Sequence, residues 1–397
     1  MHVEIMASTQ RNLNWLRVYY LVLGGGGGFL LPFISLFYQR QGLSGTEIGL
    51  LSTFVGTAAL LVAPLWGRLS DGAAAPRRWL QLELVASGVC MLLLSQQSAF
   101  VIMAGIVTLD ALLSAGISPA SDVLALSILS RTRAGFGSVR LFASLGWAVT
   151  SLAGGWLIER VGLIVMFVGY AAGWGTSAGL LNFMRLPPKT PLPPISRAAR
   201  SSVRQSIRAV LANRPLARFG LALAVFGFMM YGLRAFEALY YKQLGAGESI
   251  VGLASMIGAT VELPGLLWAD RLVRRFGAVR VLRFSFALEV VRLSAVLIAP
   301  SIPTLLSVRA VGGVAYSWYV VAVLAYIQRA TPERQVTTVL ALFNVTLTAF
   351  IRITAAPLSG WVFDQVGAYW LYALGVLGAA TAWLIMRTAG RHDLQPA

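Results

Sequence analysis

The sequence predicts an all-α integral membrane protein of twelve transmembrane helices in two pseudo-symmetric six-helix bundles, and three observations carry that prediction. Of its 397 residues, 57% are hydrophobic and only 12% are charged, with a mean hydropathy of +0.73. No water-wetted globular surface sustains that balance. Apolar runs of about 20 residues, the length a helix needs to cross a hydrocarbon layer roughly 30 Å thick, recur along the whole chain. Positive charge collects in alternate gaps between those runs.

In chain order the runs lie near 14–38, 46–66, 78–98, 101–128, 136–158, 162–184, 216–241, 249–270, 278–299, 303–328, 335–362 and 367–386, leaving little chain for a soluble domain. Span 1 lacks a short apolar core with a cleavage site and reads as an uncleaved helix. It carries an unbroken glycine run, Gly24 to Gly28, followed by Pro32. Each glycine costs about 0.8–1.0 kcal/mol of helix propensity relative to alanine. Two readings stand: a bending gate with bare backbone for a passing solute, or close packing of small residues on a neighbouring helix.

The arginines follow the even-numbered spans: Arg68, Arg77 and Arg78 after span 2, Arg131 and Arg133 after span 4, Arg271, Arg274, Arg275 and Arg280 after span 8, Arg329 and Arg334 after span 10. The opposite gaps, such as Gln96-Gln97-Ser98, Ala299-Pro300-Ser301 and Asp364-Gln365, carry little positive charge. The positive-inside rule therefore places both termini in the cytoplasm of a plasma (inner) membrane. It also accounts for the net charge of +17 without nucleic acid, whose recognition needs a soluble basic face.

Several chemistries are excluded. Cys90 is the single cysteine and lies inside an apolar span, so no disulfide framework or cysteine metal site exists. His2 and His392 stand at the two ends, which removes an intramembrane histidine metal site, a Ser-His-Asp triad and a Cys-His pair. The chain is expected to be no enzyme and to use no cofactor. No Gly-x-x-x-x-Gly-Lys-Ser/Thr stretch cradles a nucleotide phosphate, so primary ATP-driven transport would need another chain.

A polar basic stretch opens with Leu186-Pro187-Pro188-Lys189-Thr190-Pro191 and divides the chain almost equally. The expected domains are an N-terminal bundle over 1–184, a cytoplasmic linker over 185–215, and a C-terminal bundle over 216–397. Residues 198–212 read either as a basic amphipathic helix on anionic headgroups or as a solvated linker. The halves repeat at an offset of about 200 residues. Gly155-Trp156-Leu157-Ile158-Glu159-Arg160-Val161-Gly162 matches Gly360-Trp361-Val362-Phe363-Asp364-Gln365-Val366-Gly367, and Val123-Leu124-Ala125 recurs as Val323-Leu324-Ala325. The gap after span 2, Gly67-Arg68-Leu69-Ser70-Asp71 leading to Arg77-Arg78, echoes Asp270-Arg271 leading to Arg274-Arg275.

That first loop, Gly67-x-Leu-x-Asp71 with a basic pair, resembles the signature loop of the major facilitator superfamily. Span count, halves and the repeated loop extend the resemblance over the whole chain. Gly67 is expected in a tight turn, with Asp71, Arg77 and Arg78 latching one conformational state and Asp270, Arg274 and Arg275 repeating the role. Headgroup anchoring is the alternative for these arginines.

Helical spacing puts Arg140, Ser144 and Trp147 on one face of span 5: a planar fork of donors, a small residue, and a flat apolar surface for a ring. An unpaired arginine at depth costs about 2.5–3.5 kcal/mol, so a carboxylate partner is expected, and Asp122 in span 4 is available. Pro119-Ala120-x-Asp122 and Arg140-x-Phe142-x-x-x-Gly146-Trp147 resemble the oligosaccharide:proton symporters, the lactose permease-like branch to which nucleoside and phenylpropionate permeases look related. The resemblance implies that Asp122 and Arg140 bind sugar hydroxyls while Trp147 stacks on the ring. A structural ion pair is the alternative.

In the second half the resemblance matches Arg292 to the span 9 arginine and puts Arg309 where span 10 carries a lysine. The family's span 10 histidine and glutamate fall on Gly312 and Ala315, and its span 8 glutamate on Ala259. Glu262 then stands as a relocated proton carrier near Arg292. Glu237 is also a coupling candidate, expected to pair with Arg234 inside span 7. Asp110, Glu83, Glu289 and Arg352 are further charges at depth, with Glu83 and Glu289 placed to snorkel toward cytoplasmic loops. Tyr316-Ser317-Trp318-Tyr319 in span 10 is expected to face lipid, with lining of the cavity as the alternative.

The expected function is secondary active transport by alternating access: proton-coupled import of a sugar, nucleoside or aromatic acid, by a monomer whose partners are the solute and the bilayer. Efflux by proton antiport is the alternative within transport, and a membrane sensor or membrane-embedded enzyme the alternative outside it.

Overall fold

The computed structural model describes residues 2–72, 76–130, 132, 134–184, 208 and 210–388. The helices are α1 (His2–Leu30), α2 (Ile34–Arg40), α3 (Gly45–Gly72), α4 (Pro76–Leu94), α5 (Phe100–Ser114), α6 (Ile117–Leu129), α7 (Phe136–Val161) and α8 (Ile164–Leu180). They continue as α9 (Arg214–Gln243), α10 (Glu248–Phe276), α11 (Ala278–Ile298), α12 (Ile302–Ala330), α13 (Glu333–Ala341), α14 (Thr348–Val366) and α15 (Ala368–Thr388). Every one of the twelve expected spans is helical, and no strand occurs among the described residues. Ten spans are long and apolar enough to cross a membrane. The other two are α4 and α11, whose apolar character is interrupted by Arg77, Arg78 and Glu83, and by Arg280, Arg283, Glu289 and Arg292.

Three spans are built from two pieces. The first breaks between α1 and α2 at Pro32, which has no N–H to donate. The fourth breaks between α5 and α6 at Ala115-Gly116. In the eleventh, a π turn over Leu342–Leu347 joins α13 to α14. Side chains close the ends of two others: Asn213 accepts from the Leu216 N–H at 3.2 Å and Ser301 from the Thr304 N–H at 3.4 Å, each just ahead of a proline in the first turn.

The expected turn at Gly67 is not there. Helix α3 runs on to Gly72, because no residue between Pro64 and Gly72 breaks it, and Gly67 and Asp71 both lie within it. The side-chain pairing expected of Asp71 lies outside the described residues, as does the linker over 185–207.

The chain sorts into two compact units. The first comprises Met1–Leu43, Phe54–Thr190 and Gly245–Ala259, and the second Ser44–Thr53, Pro191–Leu244 and Thr260–Ala397. In the first, α1 packs along α7 and α8, and α4 along α8 and α5. Its interior is filled by Leu16, Tyr19, Leu84, Ala125 and Val139. In the second, α9 packs on α15 and α14, and α11 on α12 and α15. Aromatic pairs fill that interior: Phe219 with Tyr326 at 4.2 Å, Phe226 with Phe286 at 4.9 Å and Phe236 with Phe363 at 4.8 Å between ring centroids.

The repeat read from the sequence has a physical counterpart in each unit. Gly162 ends α7 at φ 108° and Gly367 ends α14 at φ 84°, a conformation in which a β-carbon is strained. One turn before each glycine an acid caps another helix. Glu159 accepts the Ser249 N–H at 3.0 Å and the Ser249 hydroxyl at the start of α10. Asp364 accepts the Gly45 N–H at 2.6 Å, the Thr46 N–H at 2.8 Å and the Thr46 hydroxyl at 2.7 Å at the start of α3. A carboxylate there satisfies orphan N–H groups and meets the positive end of the helix dipole. Asp364→Ala is expected to lower stability by about 0.5–2 kcal/mol, the worth of a cap, read as a reduced melting temperature of the purified protein; an unchanged melting curve would show the cap to be idle.

Candidate solute-binding and coupling sites

The first-unit site grows from α1, α6 and α7. Two tyrosines at adjacent positions in α1 reach α6: the Tyr19 hydroxyl and Ser121 Oγ are 2.7 Å apart, and the Tyr20 hydroxyl donates to Asp122 Oδ1 at 3.1 Å. Phe136, at the start of α7, meets the Tyr20 ring edge-on at 6.5 Å. One turn along, Arg140 is exposed, and its charge acts on the Tyr20 phenol. The expected Asp122–Arg140 ion pair is not formed among the described residues. Asp122 finds its hydrogen bond in Tyr20 instead. Tyr20 is the site residue that sequence reasoning missed; the available signal was a pair of hydroxyls, Tyr19-Tyr20, in an otherwise apolar span.

Ser144 and Trp147 are half-buried on the same helix. Trp147 Nε1 donates to Ser255 Oγ at 2.9 Å, and its ring lies over Gly27, whose added β-carbon would sit 3.1 Å from ring Cζ3.

The glycine run in α1 is a packing surface. A β-carbon on Gly24 would lie 2.1 Å from the Ala143 carbonyl oxygen, and one on Gly146 of α7 would lie 1.9 Å from the Leu21 carbonyl oxygen. Thr150 Oγ1 donates across the same contact to the Gly25 carbonyl at 2.7 Å. Of the two readings of this run, close packing is the one the structure holds, and α1 stays helical through it. Gly146→Val must push α1 and α7 apart. Its expected effect is a loss of about 1–3 kcal/mol or more, typical of overpacking, seen as a lowered melting temperature and poor yield; normal yield and melting would contradict the contact.

In the second unit two of the acids at depth are paired with arginines. Arg309 Nη1 lies 2.9 Å from Glu237 Oε2, joining α12 to α9. Glu237 therefore does not pair with Arg234, as the spacing suggested; Arg234 is exposed and lies 5.1 Å from the Tyr316 ring centre, a cation–π placement. Arg292 holds Glu289 through Nε at 2.8 Å and Nη2 at 2.6 Å within α11. Neither Glu289, 2% exposed, nor Glu83, 5% exposed, snorkels. Their helices carry them inward against other helices rather than along the lipid. Arg292 also packs beside Gly312, the position at which the family resemblance places a histidine. Glu262 offers its backbone carbonyl to Ser317 Oγ at 2.9 Å. The expected lipid-facing aromatic stretch turns inward: Tyr319 packs on Phe226 at 5.4 Å and Phe286 at 6.2 Å, with Tyr316 at 6.5 Å.

Of the remaining latch residues, Arg77 donates to Asn182 on the 3₁₀ turn after α8, and Gln81 Nε2 donates to the same oxygen at 3.2 Å. Arg275 lies 5.3 Å from the Phe276 ring centre, and Arg78, Asp270 and Arg274 are exposed at helix ends.

One unit thus carries the polar cluster around Asp122, and the other a buried ion pair, Arg292–Glu289, and a part-buried one, Arg309–Glu237. A family model described as the MFS_1 like family matches residues 13–374. The chain belongs to this family. Among relatives of the MFS_1-like chain, the maltose permease of Geobacillus stearothermophilus is 30% identical over 390 residues, spanning 94% of this chain and 95% of that protein. The probable 3-phenylpropionic acid transporter of Escherichia coli (strain K12) is 25% identical over 390 residues, 93% of this chain and 96% of that one. A crystal structure of the nucleoside transporter NupG superimposes with a TM-score of 0.75 at 15% identity, over 95% of this chain and 98% of that one, and shows the shared all-α fold. This MFS_1-like protein is a multi-pass membrane protein and a secondary transporter of the major facilitator type.

Proposed function

We propose that the protein imports a small hydroxylated solute, a sugar of the maltose class, by alternating access driven by a proton gradient in a plasma membrane, with both termini cytoplasmic. The observation that carries this reading is the cluster of Tyr20, Asp122, Arg140 and Trp147 within one unit. Asp122 accepts from sugar hydroxyls, Tyr20 and Arg140 donate to them, and Trp147 offers a ring face beside Ser144. A site built to hydrogen-bond hydroxyls discriminates strongly against solutes that lack them, because its polar groups are then left unpaired. The relationship to a maltose permease supports the same solute class. The exposed Arg140 also disfavours the greasy cavity that drug efflux needs.

Binding to the purified protein tests the reading. Maltose, a nucleoside and 3-phenylpropionate are titrated separately by calorimetry, and saturable binding of maltose is expected. Binding of the nucleoside or the aromatic acid alone would move the solute class, and binding only of apolar cations would replace import with efflux.

A further inference from the structure

We infer that Asp110, held in the first unit by Ser87, which Tyr170 meets in turn, is the group that takes up and releases the coupled proton. This rests on the proton-driven reading above and names its site.

Asp110 lies in α5, within the span and half-buried. Ser87 on α4 donates its hydroxyl to Asp110 Oδ1, and Ser87 Oγ lies 2.9 Å from the Tyr170 hydroxyl on α8. Ser87 and Tyr170 are 0% and 4% exposed. The two helices around Asp110 present few other titratable groups. Cys90 follows Ser87 on α4, Glu83 lies one turn before it, and α8 supplies Tyr170. Among the described residues no arginine, lysine or histidine forms an ion pair with Asp110.

That absence sets Asp110 apart from the acids of the second unit. Glu237 and Glu289 are each neutralised by an arginine, so a proton arriving there must displace a guanidinium. Among the described residues the Asp110 carboxyl is hydrogen-bonded by the Ser87 hydroxyl, with the Tyr170 hydroxyl beyond it. Its carboxylate can accept from Ser87, and its carboxylic acid needs no counter-ion, so one proton converts one form to the other with nothing else consumed. A hydroxyl pair in contact with the carboxyl also gives the proton a path, since each hydroxyl both donates and accepts.

The link to the solute site is structural. Asp110 on α5 and Asp122 on α6 sit in the two pieces of one broken span. At the break, Glu83 Oε1 would lie 2.5 Å from a β-carbon on Gly116, and Glu83 Oε2 is buried without a hydrogen-bond partner. A change of charge at Asp110 and the loading of Asp122 therefore act on the same element.

Infrared difference spectra of the full-length protein in lipid, recorded across a pH titration, read carboxylic acid groups without any solute. The wild type is expected to show a carboxyl band that titrates. Asp110→Asn should remove it, Asp110→Glu should keep a titrating band at a shifted position, and Glu83→Gln should leave it in place. In proteoliposomes with labelled maltose, Asp110→Asn should exchange the sugar yet lose accumulation driven by an imposed proton gradient, its inside-to-outside ratio falling to equality. A titrating band that survives in Asp110→Asn, or accumulation equal to wild type in that variant, overturns the assignment. Should maltose not be carried by the wild type, the solute class fails while the spectra still decide Asp110.

Discussion

Replacing Arg140 by alanine is expected to abolish measurable solute binding while leaving the protein inserted and as stable as the wild type. The two halves of that expectation have separate causes. Arg140 is exposed and makes no ion pair with Asp122, so its removal strands no buried charge, and surface changes away from such features stay within about 0.5 kcal/mol. A guanidinium donating twice to a solute contributes roughly 1.5–3 kcal/mol per charged hydrogen bond, and tenfold in affinity follows from each 1.4 kcal/mol, so about 100-fold or more is at stake. Calorimetry with maltose measures the first half and a melting curve the second. Arg140→Lys should not restore affinity, because a point charge cannot reproduce the planar fork. Normal binding by Arg140→Ala would remove the solute site from α7.

The second large effect concerns stability. Glu289→Gln leaves Arg292 unpaired in a setting where the two side chains are 3% and 8% exposed, and breaking a buried pair from one side costs about 3–5 kcal/mol. Little folded protein is expected from this variant. Removing both charges together, as Glu289→Leu with Arg292→Met, should recover most of the loss, since an apolar pair of similar volume is often neutral or better. Yield and melting temperature in detergent measure both variants. A double variant no better than the single one would show that Arg292 contributes beyond pairing with Glu289.

Spans and repeat were legible for a physical reason. A helix in lipid satisfies its own backbone groups, so apolar length marks ten of the spans among the described residues, while charges interrupt it in α4 and α11. The matched ends Gly155–Gly162 and Gly360–Gly367 carried the duplication down to one pair of acids, Glu159 and Asp364, that cap the starts of α10 and α3. Partner choice was not legible. Helical spacing tells which residues share a face but not which neighbouring helix meets it, so Glu237 was assigned to Arg234 on its own helix rather than to Arg309 on α12. For the same reason Tyr20 went unnoticed, although it holds Asp122 from α1. Glu83 was read as snorkelling because its distance from a loop is visible in sequence and its inward orientation is not. Gly67 was read as a turn on its residue type, whereas the helix around it overrides that preference.

In the proposed reading, the polar groups of the first unit bind a hydroxylated solute and a proton gradient drives its uptake. Uptake of radiolabelled maltose into proteoliposomes holding the full chain, with the interior made alkaline relative to the outside and then with that difference collapsed, measures this most directly. Accumulation above the external concentration that vanishes on collapse is the expected result. Equal uptake under both conditions, or outward movement of the sugar, would contradict it.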